Sequence, residues 1–120
     1  MPSATSKTTK AVKPRRKASA QAASRPHEDW LIERLRKPKD AAAYIEAAME
    51  ENDQGVLMLA LRQVAQAQGS IASVAEKAGM TREATYRMLS DKGNPELRSF
   101  TALLAATGLR LSIKPMRKVA

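Results

Sequence analysis

A chain of 120 residues has room for one modest core, since single domains most often run to about 100–150 residues. With no cysteine and with His27 as its single histidine, it offers no disulfide framework, thiolate metal site, Cys nucleophile or His-centred triad. The net charge is +9, yet residues 1–26 hold seven basic groups and no acid while 27–120 hold 14 basic and 12 acidic ones, so a nucleic-acid reading must rest on a motif rather than on pI.

Residues 1–26 mix Ser, Thr, Ala, Lys, Arg and Pro with little that is large and apolar, and they read as a flexible basic tail. The run KPRRK at 13–17 suits either a solvated, solubilising segment or an arm that adds phosphate contacts. From His27 the pattern changes. Trp30, Leu31 and Leu35 recur at helical spacing among charged residues, which predicts a short amphipathic helix limited by Pro38. Pro38 suits the first turn of the next helix, whose apolar stripe is Ala41, Ile45, Ala48 and Met49. Asn52 and Asp53 break that helix. Asp53 is placed to cap a third, with Leu57, Leu61 and Val64 at i, i+4 and i+7 and Gly69 at its end.

Ser70 then reads as the N-cap of a short helix with Ile71, Val74, Ala75 and Ala78 on one face, stopped by Gly79. Thr81 caps the following one, with Ala84, Thr85, Met88 and Leu89 inward and Arg82, Glu83, Tyr86 and Arg87 outward. After a turn at Asp91, Lys92 and Gly93, Asn94 and Pro95 are expected to open a last helix that turns Leu97, Phe100, Leu103 and Leu104 inward and ends at Gly108. Leu109, Leu111 and Ile113 alternate with Arg110, Ser112 and Lys114, a period of two that predicts a strand over 109–114 ended by Pro115.

Residues 71–90 have the parts of a helix-turn-helix. Such a motif needs a small residue where the helices cross and a turn glycine able to take positive φ, and Ala75 and Gly79 supply them. Val74, Met80, Ala84 and Met88 are the apolar lock; Thr85 stands where a branched aliphatic is commoner, but its methyl can pack. Arg82 and Arg87 suit guanine O6 and N7 or phosphates, and Tyr86 a thymine methyl or a phosphate. Ser70 and Thr81, at helix N-termini, suit phosphate oxygens. Glu83 fits either a cytosine N4 or plain favourable charge in a first helical turn. Lys92 and Asn94 are DNA-backbone contacts or ordinary turn chemistry.

The blocks WLIERLRKPKDAAAYIEAAMEEND, AEKAGMTREATYRMLSDKGNPEL and GLRLSIKP follow one another from Trp30 to Pro115, in the order and nearly the spacing of a known family. In this the chain resembles the addiction-module antidote proteins, prophage-type DNA-binding proteins of the Xre/Cro class. The resemblance implies a mainly α, five-helix Xre-type domain over 27–115, here with a short preceding helix, a C-terminal strand and a tail at 116–120. It also implies a homodimer bound to a double-stranded operator, repression of its own operon and often a small RelE-like toxin encoded beside it. A stand-alone regulator without a toxin is the alternative.

No cofactor or metal is implied. Glu46 with Glu50, or Glu50 with Glu51, are carboxylates at helical spacing, but nothing near them in the sequence completes a reacting centre, so an enzyme is not expected. The longest apolar run, Val56 to Leu61, is far short of the roughly 20 residues of a membrane span, and the expected setting is the cytoplasm. Leu109, Leu111 and Ile113 are expected to pair with the same strand of a second copy, and Trp30, Leu31 and Leu35 are candidates for another protein contact. If the tail engages n phosphates, deleting residues 1–26 lowers the log–log salt slope of DNA binding by about 0.9n and leaves the ranking of DNA sequences unchanged. An unchanged slope rules out a phosphate-binding tail, and loss of all sequence preference makes the protein a nonspecific compactor.

Overall fold

The structure is a computed structural model that describes residues 27–116; the basic tail at 1–26 and residues 117–120 lie outside them. Six helices are present among the described residues: α1 over 27–34, α2 (Pro38–Glu50), α3 (Gln54–Ala67), α4 (Ile71–Lys77), α5 (Arg82–Met88) and α6 (Leu97–Ala106). Contacts divide the chain into two units after Leu31. In the first, the rings of His27 and Trp30 stack with centroids 6.0 Å apart, and Trp30 is 55% exposed. The second holds the core.

Each helix boundary has a local cause. Lys37, extended as the residue before a proline tends to be, precedes Pro38 at the start of α2. Asn52 takes the left-handed conformation, φ 56°, and turns the chain out of α2. The Asp53 carboxylate accepts from the Gly55 and Val56 N–H groups at 2.9 and 3.2 Å and so caps α3. Ser70 and Ser73 form a reciprocal capping box at the start of α4. The end of α4 is a Schellman closure: Gly79, φ 72°, donates to the Glu76 carbonyl at 3.1 Å and Met80 to that of Ala75 at 2.9 Å.

The core gathers on α3, which packs against α2 and α4, while α4 packs in turn against α5 and α6. Sequence periodicity gives α3 a single stripe of Leu57, Leu61 and Val64. In the fold Leu57 is only half-buried, and Met58, Ala60, Gln63, Ala65 and Ala67 are buried together with Leu61 and Val64. The added burial follows from neighbours on several sides. It encloses Gln63, whose Oε1 accepts from the Tyr44 hydroxyl at 2.5 Å. Burial pushes the Tyr44 phenol above its ordinary value, which keeps it a donor at neutral pH.

Three sequence expectations need correcting. Leu35 is 2% exposed, placed in the core by the turn after α1, and is not available as a surface contact. The last helix starts at Leu97 with Glu96 as its N-cap, because Asn94 and Pro95 belong to a loop tied down beforehand: the Gly93 N–H donates to Ser90 O at 2.8 Å and the Gly93 carbonyl accepts from Gln54 Nε2 at 2.8 Å. Leu97, expected inward, is consequently 69% exposed in the first turn of α6. No strand is found among the described residues: a strand needs a ladder partner, and 109–114 has none within the described chain. In the single chain Leu111 and Ile113 are exposed.

Two substitutions test this packing. Ala75 is buried where α4 meets its neighbours, so Ala75→Leu is expected to lower stability by about 1–3 kcal/mol in thermal or urea melts. A Cβ on Gly93 would lie 1.8 Å from the Met88 carbonyl oxygen, whereas one on Gly79 meets nothing within 4 Å. Gly79→Ala should cost about 1–2 kcal/mol for its left-handed backbone alone. Gly93→Ala should cost more, since backbone must move; equal losses would contradict the close approach.

Candidate nucleic-acid interface

Helix α5 is seven residues long, too short to persist alone, so its face is set by what holds it down. Thr81 caps it, its Oγ1 accepting from the Ala84 N–H at 3.0 Å. Thr85 and Met88 are buried, Ala84 is half-buried, and Leu89 continues the buried side past the helix end. Thr85 is completely buried as a polar residue, and this costs little because its hydroxyl donates to the Thr81 carbonyl at 2.8 Å while its methyl packs.

With that side occupied, Arg82, Glu83, Tyr86 and Arg87 are exposed, Tyr86 to 50%. Neither guanidinium makes an ion pair with a described residue. Glu83 lies in the first turn and Arg87 in the last, each at the end of the helix dipole that favours its charge.

The loop after α5 adds a second set of groups. Arg87, Ser90, Lys92 and Asn94 line an open groove of about 560 Å³, together with Met80, Ala84 and Met88 and, on the far side, Pro95, Glu96 and Ser99. Of the residues singled out from sequence, Arg87, Lys92 and Asn94 are thus brought to one groove. Arg82, Glu83 and Tyr86 lie outside its lining. Ser70 and Thr81 are exposed, but their side-chain oxygens already serve as helix caps, which leaves the hydroxyl hydrogens as their free donors. Val74 and Ala75 are buried beneath this surface.

Sequence reasoning missed the residues that hold the loop. Arg62, on α3, donates through Nη1 to the Leu89 carbonyl and lies 3.4 Å from the Asp91 carboxylate through Nη2. A cation thereby meets the carbonyl end of α5, the end where positive charge is favoured. Gln54 grips the same loop at Gly93 from the start of α3. In the sequence both are ordinary polar residues on a helix, 27 and 39 residues from the groups they hold, and only the fold brings them together.

Among the described residues no cluster of His, Asp and Glu could hold a metal, and no helix is long and apolar enough to cross a membrane.

Comparison with known proteins gives one assignment, from a family match. Residues 29–115 match the family described as "probable addiction module antidote protein". A protein of Haemophilus influenzae that is itself uncharacterized is 26% identical over 87 residues, covering 72% of this chain and 89% of that one. No solved structure matches. Proteins of this family are regulatory rather than enzymes, and an antidote implies a toxin partner. With most of its length matched, the chain belongs to the addiction module antidote family.

Proposed function

We propose that the chain is the antitoxin of a toxin–antitoxin module that also represses its own operon, using α4 and α5 as an Xre-type helix-turn-helix. The observation that carries this reading is the division of α5: Thr85 and Met88 are locked into the core, while Arg82, Tyr86 and Arg87 stand exposed on a rigidly held helix. Forked guanidinium donors held this way suit bidentate bonds to guanine in a major groove. Lys92 and Asn94, in the loop that Arg62 and Gln54 pin, suit the adjacent phosphates, contacts that fix register without reading sequence. Ser70 and Thr81 fill the same positioning role through their hydroxyl hydrogens. Glu83 serves as first-turn charge or reads cytosine.

The operator in this reading is bound by a homodimer, with two recognition helices about one helical turn of DNA apart on a roughly palindromic site. The toxin partner is a small RelE-like protein, and exposed Trp30 with half-buried Leu31 is the candidate contact for it. Co-purification with the product of a neighbouring toxin-like reading frame distinguishes an antitoxin from a stand-alone regulator.

The DNA part is tested by selecting a site from random DNA with the purified protein. Arg82→Ala and Arg87→Ala are then each expected to weaken binding to that site by about 1–3 kcal/mol where the residue reads a base, with the melting temperature nearly unchanged. Wild-type affinity in both variants would eliminate α5 as the reading helix.

A further inference from the structure

Past Gly108 the chain leaves α6 by the pair of hydrogen bonds Gly108 N–H to Ala105 O and Leu109 N–H to Leu104 O, at 3.0 and 2.8 Å. Among the described residues, the backbone of 110–116 makes no further backbone hydrogen bond. Its alternating apolar side chains are nonetheless in the open: Leu111 is 40% and Ile113 93% exposed. Beside them runs a groove of about 120 Å³ whose apolar lining is Ile45 and Met49 of α2, Phe100 and Leu104 of α6, and Leu109 and Leu111 themselves, with Glu46, Arg110 and Ser112 also bordering it. A free backbone edge, an apolar face and an adjoining groove form a template for another strand.

The residue order of the segment says which strand fits. In a two-fold antiparallel pair, residue i opposes residue j of the other copy with i + j constant, and opposed residues share a face. An odd sum sets Leu111 against a polar residue and splits the apolar stripe between the two faces, so the sum must be even. A sum of 220 opposes Arg110 to Arg110, and 224 opposes Arg110 to Lys114 twice; like charges directly opposite are unfavourable. A sum of 222 has no like-charge pair, and it engages every residue of 109–113, whereas 218 and 226, also free of like-charge pairs, pair only residue 109 or 113 within that stretch. The 222 register sets Leu111 against Leu111, Leu109 against Ile113 and Arg110 against Ser112. It also brings the partner's Ile113 over Leu109, at the edge of the groove, which accounts for both the exposed side chain and the open space.

From this we infer that residues 109–113 form an antiparallel ribbon with a second copy of this chain, in the single register that puts Leu111 on the two-fold axis. The inference deepens the homodimer of the proposed function and rests on that reading. The occupant is a second copy rather than the toxin, because the charge and apolar patterns of this short segment complement themselves.

The absence of native cysteine makes the register directly readable. Each two-fold register has one residue opposed to itself: 110 for a sum of 220, 111 for 222 and 112 for 224. Opposed Cα atoms lie about 4.5–5.5 Å apart, within disulfide reach, whereas residue 109 and its own copy would be offset by about 13 Å. The full-length variants Leu109→Cys, Arg110→Cys, Leu111→Cys, Ser112→Cys and Ile113→Cys are oxidised one at a time, without DNA. Only Leu111→Cys is expected to give a covalent dimer in high yield, and mixing Leu109→Cys with Ile113→Cys should give the heterodimer that neither forms alone. In parallel, Leu111→Lys, which opposes two like charges at an exposed position, should reduce the light-scattering mass to the 13.1 kDa of one chain with the helical circular dichroism retained.

Strongest cross-linking at 110 or 112, equal yields throughout, no cross-linking at any position, or a Leu111→Lys variant that stays dimeric would each overturn the ribbon. If Leu111→Cys cross-links only when the toxin is present, the strand's partner is the toxin and the inference fails. All of these readouts are taken independently of operator binding, so a failed ribbon leaves the DNA reading standing, and a failed Arg82 and Arg87 test leaves the ribbon standing.

Discussion

Helix α3 is enclosed on most of its circumference, and the rest of the domain is arranged by that requirement. Met58, Ala60, Leu61, Val64, Ala65 and Ala67 are all buried, so α2 and α4 have to cover it from different directions. Small residues make the enclosure possible: Ala41 and Ala48 on α2 and Ala75 on α4 are buried where larger side chains would hold the helices apart. The one polar residue enclosed with them, Gln63, is satisfied by Tyr44. The same helix carries at its solvent edge the two side chains, Gln54 and Arg62, that reach across to the loop after α5. Core packing and loop placement therefore have one origin.

This arrangement explains how a seven-residue helix can be held firmly enough for the reading role proposed for it. An isolated helix of that length does not survive in water, because the cost of its first turn is not recovered by propagation. Here it is fixed at three points: the Thr81 cap at its start, the buried Thr85 and Met88 along one side, and Arg62 at its carbonyl end. None of the three uses the outward face. For the proposed DNA reading that separation is favourable, since side chains already engaged in holding the fold would have to break those contacts to meet a base.

Charge is divided between parts of the chain in a way that suits separate tasks. Seven basic residues and no acid lie in 1–26, while the remainder is close to balanced. A balanced folded part limits indiscriminate attraction to phosphate, and in the proposed DNA-binding role discrimination falls to a few placed donors. The apolar residues of the C-terminal segment stand apart from that surface: the groove they border is lined by α2, α6 and the segment itself, and none of its residues lines the groove beside α5.

The sequence by itself determined the helices that are closed by local chemistry. Pro38, Asp53, Ser70, Gly79 and Thr81 act through their own backbone or a bond to a residue a few positions away, so their effect is written where they stand. It determined most of the outward set on α5 for the same reason, since 3.6-residue periodicity turns Tyr86 and Arg87 away from Thr85 and Met88, while Arg82, three residues before Thr85, is marked as outward by its charge. Tertiary structure decided whatever depends on a distant partner. The start of α6 was set by the grip of Gln54 on Gly93, 39 residues away, and the placing of Arg62 by a loop 27 residues away. Residues 109–114 show the limit of both: alternation fixes which side chains share a face, but a strand exists only once a second backbone completes its hydrogen bonds, and within the described chain there is none.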